Sequence, residues 1–438
     1  MSNSAAFDIS SLEIIDISKS ISRIKVESSD SKILNWRHFS GIHRFEVLNV
    51  MDQILRFKKN FFFAPPSIEA KEIILIQKNL EENFKQDLGL LAFLTSGSSG
   101  NSKIVVHSID TLITSAKKIV SAYPNLRGKR FHHLFPATYV AGILNSILVP
   151  LVAEGSLILD EEFTFASQIT LNEKITKYAP EILWLSPGML ASIVALGNRF
   201  KNKPNKLNLV LNATGPLGSE IRDKATDILD CEILSTYGSS ELLFISGERS
   251  TTEKVSIGVP FESVKIKLKP IGSRKAPAKP LEIWVSTDTK PVAVYSFSKL
   301  NSRYNLDPIY GGVEFPTKDL AIEDGGLIRI VGRNDDIVVL GGVNISLSKI
   351  EELANSTLGV IESCARAQFE GSFSSLELLY ELDTVHNVFS ENDLMNRLKL
   401  LENEHIPRKL KRVKFMRTHS GKINRNQIRN LDTGYTII

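Results

Sequence analysis

Short apolar runs recur along this chain at spacings that suit alternating strands and helices. Leu90-Leu91-Ala92-Phe93-Leu94 is unbroken by any polar residue and predicts a buried strand. A polar stretch rich in Ser and Gly follows, and Ile104-Val105-Val106 then predicts a second strand. Ile182-Leu183-Trp184-Leu185 and Leu207-Asn208-Leu209-Val210-Leu211 predict further strands, each followed by a loop with Gly and Pro. Helical patterns fall between such runs, so residues 90–265 predict a layered α/β fold. Residues 1–90 read as mixed strands and helices. The turn- and charge-rich stretch 269–280 reads as a connector, after which Leu281-Glu282-Ile283-Trp284-Val285 predicts another strand.

A fresh unit starts beyond Gly332–Asp336, which is the best domain boundary. Leu347-Ser348-Lys349-Ile350-Glu351-Glu352-Leu353 predicts a helix capped by Ser346 or Ser348. Ser390-Glu391-Asn392-Asp393 resembles a capping box, and Leu394, Leu398 and Leu401 then share one helical face. A unit of roughly 100 residues is an ordinary size for a small α/β domain.

The chain has 438 residues, 42% of them apolar, which is enough for a large core and suggests two or three domains. Lys and Arg (53) nearly balance Asp and Glu (49), so charge gives no argument for nucleic acid as a partner. Basic residues do gather in Arg408-Lys409-Leu410-Lys411-Arg412-Val413-Lys414, which reads as a solvated face or as a surface for an acidic partner such as coenzyme A or a carrier protein. Cys231 and Cys364 are far apart and without metal-ligand spacing, so free thiols in a reducing compartment are expected. Met1-Ser2-Asn3-Ser4-Ala5 has no signal-peptide character. The most apolar stretch, Ile143 to Leu159, is interrupted by Asn145, Pro150 and Glu154 and falls short of a membrane span. The expectation is a soluble cytoplasmic protein.

The polar stretch between the first two strands, Thr95-Ser96-Gly97-Ser98-Ser99-Gly100-Asn101-Ser102-Lys103, can wrap backbone N–H groups and hydroxyls around a polyphosphate, with lysine as a point charge. It is not a Walker A loop, because both the spacing and the following segment differ. Alone it reads equally well as a surface hairpin. Four later segments agree with it in order and distance: Ser235-Thr236-Tyr237-Gly238-Ser239-Ser240-Glu241, Thr317-Lys318-Asp319-Leu320, Gly332-Arg333-Asn334-Asp335-Asp336 and Thr418-His419-Ser420-Gly421-Lys422-Ile423-Asn424-Arg425. Together they resemble the T-S-G-T-T-G-x-P-K, Y-G-x-T-E, T-G-D-L, G-R-x-D-D and T-x-x-G-K-I-x-R motifs of the acyl-adenylate-forming (AMP-binding) superfamily, of the acyl-CoA synthetase type. Taken singly, Glu241 is an exposed residue after a turn and Lys422 an exposed lysine; the set carries the resemblance.

The resemblance implies an α/β fold with a large multi-layered N-terminal domain of mixed sheets and helices (1–332, its leader 1–90 short). A small mobile α/β C-terminal domain (333–438) follows a hinge near 333–336. It implies a reaction in two halves. A carboxylate attacks the α-phosphorus of ATP, giving acyl-AMP and pyrophosphate, and a thiol such as that of coenzyme A then displaces AMP. Two anions meet in the first half, so fixed cations, N–H donors and Mg²⁺ are required. On this resemblance Glu241 anchors the metal, Ser240 contacts phosphate, and Lys422 bridges the carboxylate and the α-phosphate; these are the expected catalytic residues. Thr95, Ser96, Gly97, Ser98, Ser99, Gly100 and Lys103 hold the polyphosphate. Thr214-Gly215-Pro216 resembles the segment flanking adenine, Tyr237 stacks on the base with Gly238 beside it, Asp319 accepts the ribose hydroxyls, and Arg333 reaches ribose or phosphate. Asp335 matches the hinge residue, and Gly341-Gly342 lies where a glycine approaches the pantetheine arm.

The acyl pocket is expected around Leu134-Phe135-Pro136-Ala137-Thr138-Tyr139-Val140-Ala141-Gly142, with Tyr139 in place of the usual histidine and Gly142 as a wall. Other departures are Ser102 for proline, which implies a looser loop end, and Lys318 for glycine. The expected activity is ATP-dependent acid–thiol ligation of a small carboxylic acid, with a weak resemblance to o-succinylbenzoate–CoA ligases. Two other readings stay open: a stand-alone adenylation enzyme loading the phosphopantetheine of an acyl carrier protein, and a non-catalytic nucleotide-binding protein. Neither nucleic acid nor a membrane span is expected.

Overall fold

The run Leu90–Leu94 becomes the middle of a strand, Leu90–Ser96, that folds back antiparallel on Ser102–Ser108. In this computed structural model the described residues are 14–16, 36–39, 44–65, 68–96, 102–159, 165–197, 207–215, 217–250, 256–271, 280–298, 302–340, 343–357, 359–370, 373–382, 389–401, 403–416, 423 and 425–438. The hairpin lies inside a six-stranded mixed sheet, ordered Arg303–Leu306, Ala293–Ser298, Ser102–Ser108, Leu90–Ser96, Asn60–Phe63, Trp36–Phe39. Strand alternation sorts its side chains between two cores. Phe61, Phe63, Leu91 and Phe93 enter the main core, whereas Phe62, Leu90, Ala92, Ile104 and Val106 pack on the opposite face.

An eight-stranded sheet shares the main core. Its centre is parallel, Ser156–Leu159, Arg130–His133, Ile182–Leu185, Leu209–Asn212 and Glu232–Ser239, and short antiparallel strands close both ends. Leu157, Leu183, Leu209 and Val210 are fully buried, as expected of strands covered on both faces. The apolar stretch from Ile143 is not one element. Val140–Ile143, a π-helical turn Leu144–Leu148 and Val149–Val152 run on from one another, and the strand Ser156–Leu159 follows. Among the described residues no helix is long and apolar enough to cross a membrane.

An antiparallel four-stranded sheet, Lys265–Lys269, Leu281–Ser286, Phe315–Asp324 and Leu327–Arg333, follows in the chain. The C-terminal unit has its own sheet, Val360–Glu370, Phe373–Leu382, Lys409–Phe415 and Tyr435–Ile437, with separate apolar clusters on its faces. Of the two candidate caps, Ser346 is the one that starts helix Leu347–Asn355, its Oγ accepting from Lys349 N at 3.3 Å. Ser390 caps Glu391–Leu398 in the same way, and Leu394 and Leu398 are buried; Leu401 packs beyond the helix end. The basic strand is partly consumed in structure, since Lys411 pairs with buried Glu377 at 2.7 Å. Cys231 and Cys364 are free, and burial pushes both thiols up to about 12, which makes them poor nucleophiles.

One ionic cluster welds this unit together. Buried Glu351 accepts from Arg425 at 2.8 Å, from Arg429 at 2.7 Å and from Ala365 N at 2.9 Å, while Arg429 also reaches Asp336 at 2.5 Å. Burial opposes ionisation of Glu351, but the two guanidiniums prevail and hold its carboxyl below the usual range. Removing that one carboxylate leaves two cations short of a partner. Glu351→Leu is therefore expected to destabilise the protein by about 3–5 kcal/mol, read as a lower urea midpoint, while surface Glu391→Gln moves it little.

Candidate nucleotide site

The site is built on hairpins whose register is fixed by apolar strands. In the first, Thr95 pairs with Lys103 and Ser96 with Ser102, so the chain is pinned at both ends of the expected phosphate loop. Gly97, Ser98, Ser99 and Gly100, together with the Ser96 side chain, lie outside the described residues. Ser102 does not leave its end loose. Its hydroxyl is 2.8 Å from the Tyr304 hydroxyl, which donates to Glu72 at 3.0 Å, so the loop exit is tied to helix Ala70–Asn83.

The second hairpin joins Glu232–Ser239 to Leu243–Gly247 through Ser240-Glu241-Leu242. Leu242 N donates to Ser239 Oγ at 3.0 Å, and Leu243 closes the turn with φ +60°. Gly238 sits at the bulge where the register shifts. A Cβ there would lie 2.2 Å from the Leu243 carbonyl oxygen, so only glycine allows the approach. The turn faces the first hairpin: Lys103 Nζ is 3.6 Å from Glu241 Oε1, and both side chains are mostly buried. Tyr310, stacked on Phe315, turns its hydroxyl towards Glu241, and burial next to that carboxylate raises its phenol pKa strongly. His107 is fully buried on the Lys103 strand, with Nε2 2.8 Å from the Ser240 carbonyl oxygen.

The third hairpin carries the expected ribose ligand. A two-residue Gly325-Gly326 turn, both φ positive, starts the pairing at Asp324 and Leu327, and an irregularity between Leu320 and Ala321 shifts it by one residue so that Asp319 lies opposite Arg333. Arg333 Nη1 donates to Asp319 Oδ1 at 2.7 Å, and the Tyr237 hydroxyl donates to Oδ2 at 2.5 Å. Burial, then the Asp319 charge, holds the Tyr237 phenol well above its ordinary pKa, so it stays a donor. Thr317 steadies this carboxylate, its hydroxyl accepting from Asp319 N at 3.1 Å and donating to Ile283 O at 2.9 Å. Lys318, where the family has glycine, adopts φ +64° in the irregular pairing between Glu282 and Trp284. Thr214 is left-handed too, at φ +75°, an outlier for a β-branched residue. Asn212 Nδ2 holds the next residue by donating to Gly215 O at 3.2 Å.

The structure thus brings together Lys103, Ser240 and Glu241, and joins them through one hairpin to Tyr237, Asp319 and Arg333. Pro216, Gly341, Gly342 and Lys422 lie outside the described residues. Asp335 falls in the one-turn 3₁₀ helix Asn334–Asp336, its backbone alone described. Tyr139 precedes helix Val140–Ile143 and is half-buried. Gly142 has a packing role: a Cβ would meet the Pro136 carbonyl oxygen at 1.8 Å. Sequence reading missed His107, Tyr310, Tyr304 and Glu72. Only His107 left a signal, a polar residue closing an apolar strand four positions after Lys103.

Two substitutions test this geometry. Gly238→Ala forces a side chain into the Leu243 backbone, and a loss of about 3 kcal/mol in thermal or urea unfolding is expected. Lys318→Gly acts oppositely. The left-handed conformation costs an L-residue about 1–2 kcal/mol, partly offset by the entropy of glycine, so a gain of roughly 0.5–1 kcal/mol is expected without nucleotide.

The sequence pattern of the AMP-binding enzyme family matches residues 47–289, more than half of the chain. A malonate–CoA ligase from Arabidopsis thaliana is 22% identical over 315 residues, 65% of this chain and 49% of that relative. This chain therefore spans about half the length of that relative. A 2-succinylbenzoate–CoA ligase from Bacillus subtilis is 23% identical over 390 residues, 86% of this chain and 76% of its own. Among solved structures, an anthranilate CoA ligase in complex with anthranoyl-AMP superposes with a TM-score of 0.76 at 16% identity, covering 90% of this chain and 87% of that one. The Bacillus subtilis o-succinylbenzoate coenzyme A synthetase in complex with AMP gives 0.65 at 19% identity, covering 89% and 82%. These solved proteins share the fold, a large N-terminal domain with a small C-terminal one, and the family match settles membership: the chain belongs to the AMP-binding enzymes.

Proposed function

We propose that this protein is an ATP-dependent acid–thiol ligase that adenylates a small carboxylic acid and passes the acyl group to coenzyme A. The observation that carries this reading is the single hairpin that sets Glu241 against Lys103 and Tyr237 against the Asp319–Arg333 pair.

The residues fit the expected nucleotide. The Arg333 guanidinium and the Tyr237 hydroxyl, one on each Asp319 oxygen, hold the carboxylate in a fixed orientation, and a carboxylate's two oxygens suit the two hydroxyls of a vicinal diol. They also fit Mg²⁺. Glu241, facing the strand that carries Lys103, is a single carboxylate that suits a metal keeping phosphate oxygens and waters as its other ligands. Bound there, Mg²⁺ would neutralise phosphate charge. Lys103 leaves Glu241 for the polyphosphate as the two anions approach. Lys422, carried by the C-terminal unit, stabilises charge developing between the acid and the α-phosphate. We place the hinge at 333–336, with Asp335 at its centre.

Coenzyme A is the proposed acceptor because the relatives are named as CoA ligases. Those names point to small acids, malonate and 2-succinylbenzoate, so o-succinylbenzoate is a first candidate. Tyr139 lines the proposed acid pocket. The test is carboxylate-dependent ATP–pyrophosphate exchange over aryl, succinylbenzoyl, short-chain and amino acids. Exchange with one acid class is expected, with a loss of about a hundredfold or more in Lys422→Ala. ATP binding without exchange for any acid would count against the ligase.

A further inference from the structure

Lys103, Val105 and His107 lie on one face of the strand Ser102–Ser108, because side chains alternate with period two. That face grips the Ser240–Glu241 turn at two points: the Lys103 ammonium is 3.6 Å from Glu241 Oε1, and His107 Nε2 is 2.8 Å from Ser240 O. The points are about 13 Å apart along the strand at ~3.3 Å per residue, and the long lysine side chain spans the difference. The far arm of the turn is held as well, with Phe244 N donating to Ser115 Oγ at 3.3 Å.

The chemistry of the imidazole follows from its partners. A carbonyl only accepts, so Nε2 carries the proton and Nδ1 is a bare lone pair. Nδ1 is buried and has no hydrogen-bond partner. Burial drives the pKa down to about 4, against smaller opposing effects from Ser240 and Glu241, so the ring is neutral. A leucine would suffer none of this desolvation. What the imidazole provides that leucine lacks is one N–H aimed at the carbonyl immediately before Glu241.

We propose that His107 is a positioning residue for Glu241: its Nε2–H fixes the Ser240 carbonyl, and so the turn, against the strand that presents Lys103. This role rests on the ligase reading, in which Glu241 anchors Mg²⁺ beside the phosphates. His107 touches neither substrate nor metal; it sets where the carboxylate stands.

The experiment is calorimetric titration of the full chain with ATP, in EDTA and then in Mg²⁺, to obtain the gain in ATP affinity that Mg²⁺ confers. His107→Leu removes the donor, His107→Gln retains an N–H of similar reach, and Glu241→Gln removes the anchor. The gain is expected to fall about tenfold in His107→Leu, the scale of one lost hydrogen bond, and to return in His107→Gln. It should vanish in Glu241→Gln, while affinity in EDTA stays within about twofold in the two His107 variants. A merely structural histidine would lower melting temperature in both His107 variants and leave the gain alone. The proposal is overturned if His107→Leu keeps the wild-type gain, if His107→Gln is as impaired as His107→Leu, or if the wild type shows no gain. ATP–pyrophosphate exchange on the same preparations judges the ligase reading separately: wild-type protein inert with every acid would defeat that reading, and the Mg²⁺ gain would still decide the role of His107.

Discussion

The mutual neutralisation of Lys103 and Glu241 is the constraint around which the site is organised. Each side chain is mostly buried, and an isolated charge in such surroundings is expensive. Two strands separated by more than a hundred residues in sequence must therefore hold the turn of one against the other. The pair is loose at 3.6 Å, longer than the 2.7 Å contacts that bind Arg333 to Asp319 and Lys411 to Glu377. Looseness matters for the proposed chemistry. A tight pair would resist the arrival of Mg²⁺ and polyphosphate, whereas this one can exchange partners with both charges compensated throughout.

Around that pair the backbone is strained at several points. Thr214, Leu243 and Lys318 adopt positive φ without being glycine, and each lies within or next to a segment expected to touch the nucleotide. Strain of this kind persists only where surrounding structure over-determines it. Here the determinants are visible. The parallel strands Leu209–Asn212 and Glu232–Ser239 are clamped in the main core, and Asn212 reaches across to Gly215 and Ser235. Thr317 braces Asp319 from below. The turns are thus held by their strands, and the groups proposed to face the nucleotide already stand fixed on them.

Most of the fold was legible because it is written locally. The run Leu90–Leu94 specifies its strand, and Ser346 and Ser390 specify their helix starts. The motif residues were legible by resemblance. What escaped is non-local: His107 meets Ser240 across 133 positions, and Tyr304 meets Ser102 across 202 and Glu72 across 232. No periodicity records such contacts. The departure at Ser102 shows the consequence, since sequence suggests a loosened loop end and the distant tyrosine ties it down. Lys318 is the reverse case, where the motif alone flags a glycine position and the φ value supplies the reason.

Two anchors narrow where a hinge can lie. Arg333 is committed to the large N-terminal part by its bond to Asp319, and Asp336 is committed to the C-terminal unit by Arg429. Between these anchors stand only Asn334 and Asp335. Just before them Gly332 has φ +152°, with its open side against the Ser346 and Ser348 hydroxyls. A turning of the C-terminal unit, which the proposed two-step reaction requires, would have to be absorbed by the dihedrals of these few residues or else break an anchor. One contact that such a turning would release is weak. Arg397 reaches Glu220 at 3.6 Å, both partly exposed, and Glu220 has Lys224 at 2.8 Å as an alternative partner. Exposed pairs of this kind contribute at most about 1 kcal/mol. Strong bonds lie within each part, while helix Pro187–Ala195 meets strand Val360–Glu370 and helix Leu347–Asn355 meets strand Leu327–Arg333, so the proposed turning would have to remake these contacts while Asp319 and Glu351 keep their own surroundings.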